Sequence, residues 1–399
     1  MTFLCLAGYE KGHEFLREAK RQGVKVVLLT GESLKNKAEW PTESINEIFY
    51  MPDGTGEWNR ADTVKAVSYL ARTRDFDRIV ALDDFDVEVA SMLREHLRVP
   101  GMGETTVRYF RDKLAMRMKA AEAGIRVPPF VHVLNYDRVR AFMEQTAAPW
   151  VLKPRMMAGA IGIKKIHSAD ELWQAVEALG DAQSNYLLEQ FVPGDVFHVD
   201  TIIYEREVLF SIASGYGRPP MEVSHQGGVF TTRILERDTE LASNLRKLNA
   251  GVMEAFGMVR GVSHTEFIWP HDGSGLYFLE TSARVGGAHI VDLVEAATGI
   301  NLWAEWAILE IAGGKAPYAP PLARNDYAGL LVSLSKQERP DTSAYNDPEI
   351  AWRMDKPHHV GLIVKSPSVE RVNELLAWYA ERVARDFQAY LPPKERPSD

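Results

Sequence analysis

Short apolar runs alternate with amphipathic stretches over the first hundred residues. The runs at residues 3–7, 24–29 and 79–82 predict buried strands, and the apolar spacing over residues 13–22 and 87–97 predicts helices. Strands that alternate with helices form a parallel sheet covered by helices on both faces. Because the segment at residues 8–12 does not match G-x-G-x-x-G, we favour a Rossmann-like structural or substrate-binding lobe over an NAD-binding domain.

The rest of the chain mixes helical and strand periods, which predicts a combined α/β and α+β protein. Helical spacing covers residues 105–123, 137–145 and 168–179, and the third stretch begins with the capping-box pair Ser168 and Glu171. An apolar stripe over residues 369–387 predicts a closing helix. Further strand patterns lie at residues 130–133, 150–153, 186–189, 196–204, 208–213, 330–334 and 360–364.

Two strand-like runs flank a glycine-containing turn, and each run carries a glutamate. Simple hairpin pairing places Glu266 directly opposite Glu280. Alternation along each strand then puts His264, Ser282 and Arg284 on the same face. Two carboxylates about 5 Å apart repel each other unless one is protonated or a cation lies between them. Mg²⁺ prefers oxygen ligands and usually arrives with phosphates, so the hairpin predicts a nucleotide–metal site.

Composition narrows the classes of function. The 399 residues carry a net charge of −9, which argues against a surface for nucleic acid or for an anionic membrane. No apolar run approaches the ~18 residues that span a bilayer, and the apolar start lacks the basic residues of a signal peptide. Cys5 is the only cysteine, which excludes an internal disulfide and favours packing over nucleophilic chemistry. We therefore expect a cytoplasmic protein.

A lysine and a glycine-containing loop form a candidate phosphate site. Lys153 ends an apolar strand, and the loop that follows contains Gly159 and Gly162. Glycines let backbone N–H groups approach phosphate oxygens, and the lysine supplies a positive charge. The alternative is an ordinary turn, since no Gly-Lys-Ser/Thr of a Walker A loop follows. Downstream, Glu189 and the extended segment after it are either an adenine site or a strand end with a solvated carboxylate.

The order of these motifs resembles the ATP-grasp superfamily over residues 108–302, and the elements that carry the likeness are Lys113, Lys153, the glycine-containing loop, Glu189 to Val192, Glu266, and Glu280 to Arg284. The likeness is to carboxylate–amine ligases of the L-amino-acid-ligase and carbamoyl-phosphate-synthetase-like kind. It implies an ATP-grasp fold with a Rossmann-like N-terminal domain at residues 1–102, preceding the ATP-binding part. A two-lobed ATP clamp would occupy residues 103–315, with a hinge near residues 189–192. A small α+β region would occupy residues 316–399.

The resemblance implies roles for individual residues around the nucleotide. Lys113 and Lys153 would hold the α- and β-phosphates. The loop from Gly159 to Gly162 would close over the β- and γ-phosphates. The residues that would bind adenine and ribose are Glu189, Gln190, Phe191, Val192 and Asp195. The implied cofactors are ATP and Mg²⁺, with Mn²⁺ as an alternative ion.

The resemblance also implies the metal and catalytic residues. Glu266 and Glu280 would ligate Mg²⁺, with Ser282 as a weaker ligand where the family often has asparagine, which leaves a second metal ion open. Arg284 would face the transferred phosphoryl group or the acyl-phosphate oxyanion and, with Lys153, would be a catalytic residue.

Two glycine-containing regions are candidates for the substrate. Gly286 and Gly287 would offer backbone N–H groups to a carboxylate, as Arg284 would offer its guanidinium. His264 shares the metal face and is either a phosphate contact or a hydrogen-bonded core histidine. Further candidates for the substrate carboxylate, with ordinary surface-loop chemistry as the equal alternative, are Arg218, His225 and Arg233.

The implied function is an ADP-forming ligase that activates a small carboxylate as an acyl phosphate and joins it to an amine. Its partners would be these small molecules, with neither nucleic acid nor membrane, and a homodimer is left open. One alternative is a biotin-carboxylase-like or carbamoyl-phosphate-forming enzyme that uses bicarbonate, although no carrier-lysine motif is visible. Another is a non-catalytic ATP-binding regulatory protein, against which the facing carboxylates and the two lysines argue.

Overall fold

The computed structural model describes residues 1–54 and 58–390, and it opens with a parallel sheet in the order β3-β2-β1-β4. The strands are β1 (Thr2–Ala7), β2 (Lys25–Gly31), β3 (Glu47–Met51) and β4 (Arg78–Ala81), and the helices between and after them are α1 (His13–Arg21), α2 (Arg60–Leu70) and α3 (Val87–Leu97). Phe3 and Cys5 belong to one core while Leu4 and Leu6 belong to another, so both faces are covered. The predicted parallel sheet is confirmed, although β3 and α2 were not predicted.

The next region, residues 104–190, contains four α-helices and a small antiparallel sheet in the order β5-β8-β6-β7. Its elements are α4 (Glu104–Val107), α5 (Lys113–Glu122), β5 (Phe130–His132), α6 (Tyr136–Gln145), β6 (Trp150–Pro154), β7 (Lys164–Ile166), α7 (Ala169–Leu179) and β8 (Tyr186–Gln190). The single helix predicted over residues 105–123 is wrong. The chain is extended at Asp112, whose side chain accepts from the N–H of Leu114 and so begins α5 as a new helix.

The third sheet is the largest and has the order β13-β12-β9-β10-β11-β14-β16-β15. Its strands are β9 (Gly194–Tyr204), β10 (Glu207–Tyr216), β11 (Phe230–Ile234), β12 (Gly261–Pro270), β13 (Tyr277–Ser282), β14 (Tyr327–Leu334), β15 (Ile350–Arg353) and β16 (His359–Ser366). The helices of this part are α8 (Pro220–Gln226), α9 (Glu240–Phe256), α10 (Ile290–Thr298), α11 (Leu302–Ala312) and α12 (Val369–Asp386).

The large sheet buries both of its faces and continues across residue 316. Val199 and Phe267 pack with α9 on one face, whereas Ile202 and Val262 pack with α10 and α11 on the other. The strands β14, β16 and β15 extend the same sheet, so the described part of the region predicted at residues 316–399, which ends at residue 390, does not form a sheet of its own. The three-way division of the chain stays a prediction. In the described part of the chain, no helix has the length and apolar character to cross a membrane.

Candidate active site

The two predicted carboxylates face each other across neighbouring strands. The strands β12 and β13 pair antiparallel with Glu266 opposite Glu280, which confirms the predicted register at this end of the hairpin. Nearer the turn, Phe267 pairs with Phe278, and Leu279 is left without a partner on β12. The constant pairing assumed along the whole hairpin is therefore wrong, and a β-bulge at Leu279 takes up the extra residue.

Each carboxylate has a neighbour that offsets its charge. Lys113 Nζ lies 3.2 Å from Glu280 Oε2. Glu266 accepts a hydrogen bond from the Tyr216 hydroxyl at 2.7 Å, and His264 Nε2 lies 3.7 Å from the same oxygen. Burial opposes ionisation of Glu266, but the contacts with His264 and Tyr216 hold the pKa of this carboxyl below its ordinary value. The Glu266 carboxyl is therefore ionised at neutral pH.

A cavity of about 480 Å³ opens beside this pair and is lined by both the small and the large sheet. This volume suits a small organic ligand or cofactor. Predicted site residues that line it are Lys113, Lys153, Gly159, Glu189, Gln190, Phe191, Val192, Asp195, Glu266 and Glu280. Gly162 is not among the lining residues. It has φ 73° and its Cα faces the Pro154 ring, so it shapes the base of the loop.

The loop after Lys153 contains two residues that favour an open turn. Gly159 and Ala160 both have left-handed backbone angles, with φ of 67° and 61°. A side chain at Gly159 would meet no atom within 4 Å, so the loop is open on the side of the cavity. Lys113 Nζ donates to the Met157 carbonyl at 2.5 Å, which ties the start of α5 to this loop.

Lys153 is held in a buried ion cluster. Its ammonium forms a short ion pair with one oxygen of Glu189, and Arg117 Nε donates to the other oxygen at 3.0 Å. Burial lowers the pKa of Lys153 to about 8, against the opposing charge of Glu189. Glu189 lines the first cavity and holds Lys153 and Arg117 with its two carboxylate oxygens, and its predicted contact with adenine stays a prediction.

The segment between β8 and β9 leaves one backbone donor available beside the cavity. The N–H groups of Gln190 and Phe191 already donate to proline carbonyls at 2.9 and 3.1 Å. The N–H of Val192 donates to no backbone carbonyl within residues 1–54 and 58–390, so it can serve a ligand. Asp195 is exposed at the cavity wall, with one oxygen 3.7 Å from His271.

A buried histidine–aspartate network adjoins Glu266 and was not predicted. Asp200 lies 2.7 Å from His198 Nδ1 and 2.9 Å from His264 Nδ1, and His198 Nε2 lies 2.8 Å from the Thr232 hydroxyl. Burial opposes protonation of His264, but the Asp200 carboxylate outweighs it and raises the pKa of His264 to about 9. His264 is thus a hydrogen-bonded buried histidine. The signal in the sequence was His-x-Asp at residues 198–200, two polar side chains on one face of an apolar strand.

The ligand atoms of this network lie within 4.8 Å of one another, a spacing that a metal ion could bridge. Both nitrogens of His198 have hydrogen-bond partners, as does His264 Nδ1, while its Nε2 lies 3.4 Å from the Tyr216 hydroxyl. The network therefore satisfies itself by hydrogen bonds. The hairpin carboxylates, which are oxygen donors, fit a hard cation such as Mg²⁺ better.

A second cavity of about 240 Å³ shares Lys113, Glu266 and Glu280 with the first. Arg284 lies in its wall, together with Arg111 and Asp84. Asp84 is an acidic residue that follows β4 of the N-terminal sheet, and it was not predicted. Arg111 Nη1 donates to Asp84 Oδ2 at 3.1 Å.

Polar atoms in the wall of this second cavity lack hydrogen bonds, although Arg284 Nε and Asp84 Oδ1 lie 3.9 Å apart as an ion pair. Asp84 Oδ1, Arg111 Nε and Arg284 Nε are buried without a hydrogen bond in the part of the chain that the structure describes. Such atoms are uncommon in native proteins and are satisfied when a polar ligand or water binds. The signal for Asp84 was its place after β4, because ligands bind at the carboxyl ends of parallel strands.

The predicted substrate and metal residues differ in where they lie. Gly287 lines the second cavity, whereas Gly286 packs over Asp200, whose oxygen would lie 3.0 Å from an added Cβ. Ser282 also lines this cavity, near the Asp84 carboxylate, and its predicted contact with a metal ion stays a prediction.

The roles predicted for Arg218, His225 and Arg233 are not supported, because none of them lines either cavity. Arg218 bonds to Gln226 on the outer side of α8, and the carbonyl of His225 accepts from the Tyr390 hydroxyl. Arg233 pairs with Gly215 and so lies on the sheet face opposite Thr232, its neighbour in β11.

Comparison with known proteins agrees with this geometry. A family model described as the ATP-grasp domain matches residues 118–296. The chain is 30% identical over 241 residues to the L-arginine-specific L-amino acid ligase of Bacillus subtilis, covering 59% of this chain and 57% of that protein. It is 21% identical over 271 residues to the alanine–anticapsin ligase of Bacillus subtilis strain 168, covering 60% and 55%. The chain thus spans little more than half the length of these two curated relatives.

Solved structures share the fold over nearly the whole chain. The L-amino acid ligase from Bacillus licheniformis matches with a TM-score of 0.74 at 18% identity, covering 98% of both chains. The carboxyaminoimidazole ribonucleotide synthase from Aspergillus clavatus, complexed with ATP, matches with a TM-score of 0.73 at 16% identity, covering 96% and 98%. The chain therefore contains an ATP-grasp domain and has the ATP-grasp fold, with L-amino acid ligases and related carboxylate–amine ligases among its relatives.

Proposed function

We propose that the chain is an ATP- and Mg²⁺-dependent ligase that activates a small carboxylate as an acyl phosphate and joins it to an amine, releasing ADP and phosphate. The observation that carries this proposal is the facing pair Glu266 and Glu280, which borders both cavities. The first cavity has the volume for a nucleotide. The second is smaller, and its wall carries the charged side chains of Asp84, Arg111 and Arg284. The ligase activities named for the relatives support the same class of reaction.

In this proposal the first cavity takes ATP. The Val192 N–H would donate to the adenine edge, and Asp195 is placed to accept from the ribose hydroxyls. Lys153 and Lys113 would contact the phosphates from the two sides of the open loop at Gly159. A phosphate also stabilises the charged form of Lys153, so nucleotide binding would raise the pKa that burial lowers.

The hairpin carboxylates would hold Mg²⁺, which supplies charge neutralisation for the phosphates when it is bound. The work of the chain itself is to position groups and to stabilise charge, because phosphoryl transfer asks for little covalent chemistry from the protein. Arg284 lines the second cavity, and its Nε makes no hydrogen bond although it lies 3.9 Å from Asp84 Oδ1. Its guanidinium would therefore be placed to stabilise oxygens at the reacting centre.

The second cavity would take the carboxylate and the amine. Arg111 and Arg284 offer donors to an anionic group, and Asp84 Oδ1 offers an acceptor to a cationic or neutral N–H group. In a balanced sequence, a carboxylate oxygen attacks the γ-phosphorus and ADP leaves. The amine nitrogen then attacks the acyl carbon, phosphate leaves, and the proton of the amine is lost.

The test is phosphate release from ATP with a panel of amino acids, offered singly and in pairs, with Glu280→Gln as the matched inactive control. A carboxylate oxygen labelled with ¹⁸O should appear in inorganic phosphate. Release that depends on a small acid and an amine supports the proposal. Dependence on bicarbonate alone would assign a carboxylase-type reaction, label in AMP would assign adenylation, and ATP binding without turnover for every acid would assign a regulatory protein.

A further inference from the structure

A single guanidinium links the two halves of the site. Arg117 is completely buried on α5, where an unpaired charge is strongly disfavoured. Its Nε donates to Glu189 on β8 at 3.0 Å, and its Nη1 donates to the carbonyl of Leu279 on β13. The side chain therefore bridges the small sheet, which carries Lys153, and the large sheet, which carries the hairpin carboxylates.

The carbonyl that Arg117 binds belongs to the bulged residue of the hairpin. Leu279 lies between Glu280, which pairs with Glu266, and Phe278, which pairs with Phe267. In a β-strand, a change of register by one residue moves a side chain to the other face of the sheet. If the shifted pairing of the turn end extended one residue further, Glu280 would face away from Glu266. The position of the bulge thus decides whether the two carboxylates meet.

The helix that carries Arg117 also carries the lysine nearest to Glu280. Lys113 and Arg117 are four residues apart on α5 and so lie on one face of the helix. Lys113 contacts the Glu280 side chain, and Arg117 contacts the backbone one residue before it. Through Glu189, Arg117 is also connected to Lys153. A chain of polar contacts therefore runs from the hairpin to the phosphate lysine.

We propose that Arg117 is a positioning residue that fixes the bulge at Leu279, and thereby the metal-facing register of Glu280, while it orients Glu189 against Lys153. This inference rests on the proposed function, in which Glu280 ligates the metal ion and Lys153 contacts phosphate. A guanidinium is suited to the task because its planar fork can donate to two acceptors in fixed directions, whereas an ammonium is a single point charge.

Arg117→Lys keeps the charge and removes the fork, and it is the principal test. The probe is Mn²⁺, titrated against the full chain in the presence of a non-hydrolysable ATP analogue and followed by electron paramagnetic resonance. We expect Mn²⁺ to bind at least about tenfold more weakly than in the parent, the size of one lost hydrogen bond to a charged group. Affinity for the analogue without metal should change by less than about threefold, because the Lys153–Glu189 pair remains.

Two further variants separate positioning from folding. Arg117→Met leaves Lys153 and Glu189 as a balanced pair and should lose Mn²⁺ affinity at least as strongly. Lys119→Met removes a cation from the same helix and should bind Mn²⁺ like the parent. Lys119 pairs with Glu122 and lies over the Tyr109 ring, away from both cavities. If Arg117→Met does not fold, Arg117→Lys decides the question alone.

A double variant tests whether Arg117 acts through Glu280. Arg117→Lys and Glu280→Gln together should weaken Mn²⁺ binding no more than Glu280→Gln alone, because both changes remove the same ligand. Additive losses would overturn the inference, as would parent-like Mn²⁺ affinity in a folded Arg117→Lys variant. Equal losses of thermal stability, analogue binding and Mn²⁺ binding would make Arg117 a folding residue only.

The same titration distinguishes this inference from the proposed function. If the parent protein binds Mn²⁺ with the analogue but none of the acids tested supports turnover, the ligase assignment is removed and the role of Arg117 stands. Parent protein that binds no Mn²⁺ in the presence of the analogue would overturn both, because Glu280 would then have no metal to ligate.

Discussion

Lys153→Met should weaken ATP binding while it stabilises the protein without nucleotide. Burial lowers the pKa of Lys153 from 10.5 to about 8, so the folded state disfavours the charged form. A pKa that is about 2.5 lower in the folded chain than in the unfolded chain corresponds to a free energy of about 3 kcal/mol, since one pKa unit is worth about 1.4 kcal/mol. Methionine has a similar length and no charge, and Glu189 keeps Arg117 as its partner. The free energy of unfolding at pH 7 should therefore rise, by up to about 3 kcal/mol.

The pH dependence gives the sign of this effect. Between pH 8 and 10.5 the unfolded chain keeps the Lys153 proton and the folded chain does not, so the stability of the parent rises with pH in this window. The variant lacks the pH-dependent contribution of Lys153. The difference in the free energy of unfolding between the variant and the parent should therefore shrink from pH 8 upward. Other groups that titrate in the window contribute equally to both proteins and cancel in the difference.

The assay is urea unfolding of the parent and of Lys153→Met at pH 7 and pH 9.5, combined with thermal shifts at increasing ATP. ATP affinity should fall at least about tenfold, because a hydrogen bond to a charged group is lost. The reasoning is refuted if the variant is less stable than the parent at both pH values, which would make Lys153 a stabilising ion pair. Equal thermal shifts by ATP in the two proteins would remove Lys153 from the nucleotide site.

Three further predictions concern the acidic and basic residues of the site. Glu280→Gln should keep the fold and lower turnover at saturating Mg²⁺ by at least about a hundredfold, as one charged ligand is lost; turnover near that of the parent would exclude Glu280 as a metal ligand. Arg284→Lys should lower kcat by a larger factor than ATP affinity, because the ammonium keeps the charge but loses the planar fork of the guanidinium. Steady-state kinetics gives kcat and nucleotide titration gives the affinity; equal losses of the two would contradict the prediction. Asp200→Asn should remove the stability that protonated His264 contributes; in the parent this stability is full below pH 6.5 and is lost as the pH rises through about 9. Urea unfolding at pH 6 and pH 9 checks this. The prediction is refuted if the free energy of unfolding changes between the two pH values by the same amount in the variant and the parent.

Several features of the fold were predictable because their physical cause is local. Apolar runs of strand length between helical periods identified the parallel sheet of β1, β2 and β4. Alternation along β12 and β13 placed Glu266 opposite Glu280, since the period of a strand is two residues whatever surrounds it. The order of lysines, glycines and glutamates along the chain was enough to predict the ATP-grasp fold, which the family model and the solved structures confirm.

Other features depended on pairs of residues that are distant in sequence. The ion cluster joins Arg117 to Glu189, 72 residues apart, and it gives the Glu189 carboxylate partners that no local pattern indicates. The network joins Asp200 to His264, 64 residues apart, because β9 and β12 are neighbours in the large sheet. Asp84 reaches the second cavity because the turn after β4 lies beside Arg111 and Arg284, which are distant in sequence.

The hairpin contains both a feature that the local sequence determined and a feature that only the tertiary structure decided. Its composition and period by themselves determined which two carboxylates would meet. The bulge at Leu279 was decided by tertiary structure, because the carbonyl of this residue is satisfied by Arg117 from a different part of the chain. A buried polar group must find a partner wherever the fold supplies one, and such partners follow from the packing of whole elements and not from the residues nearby in sequence.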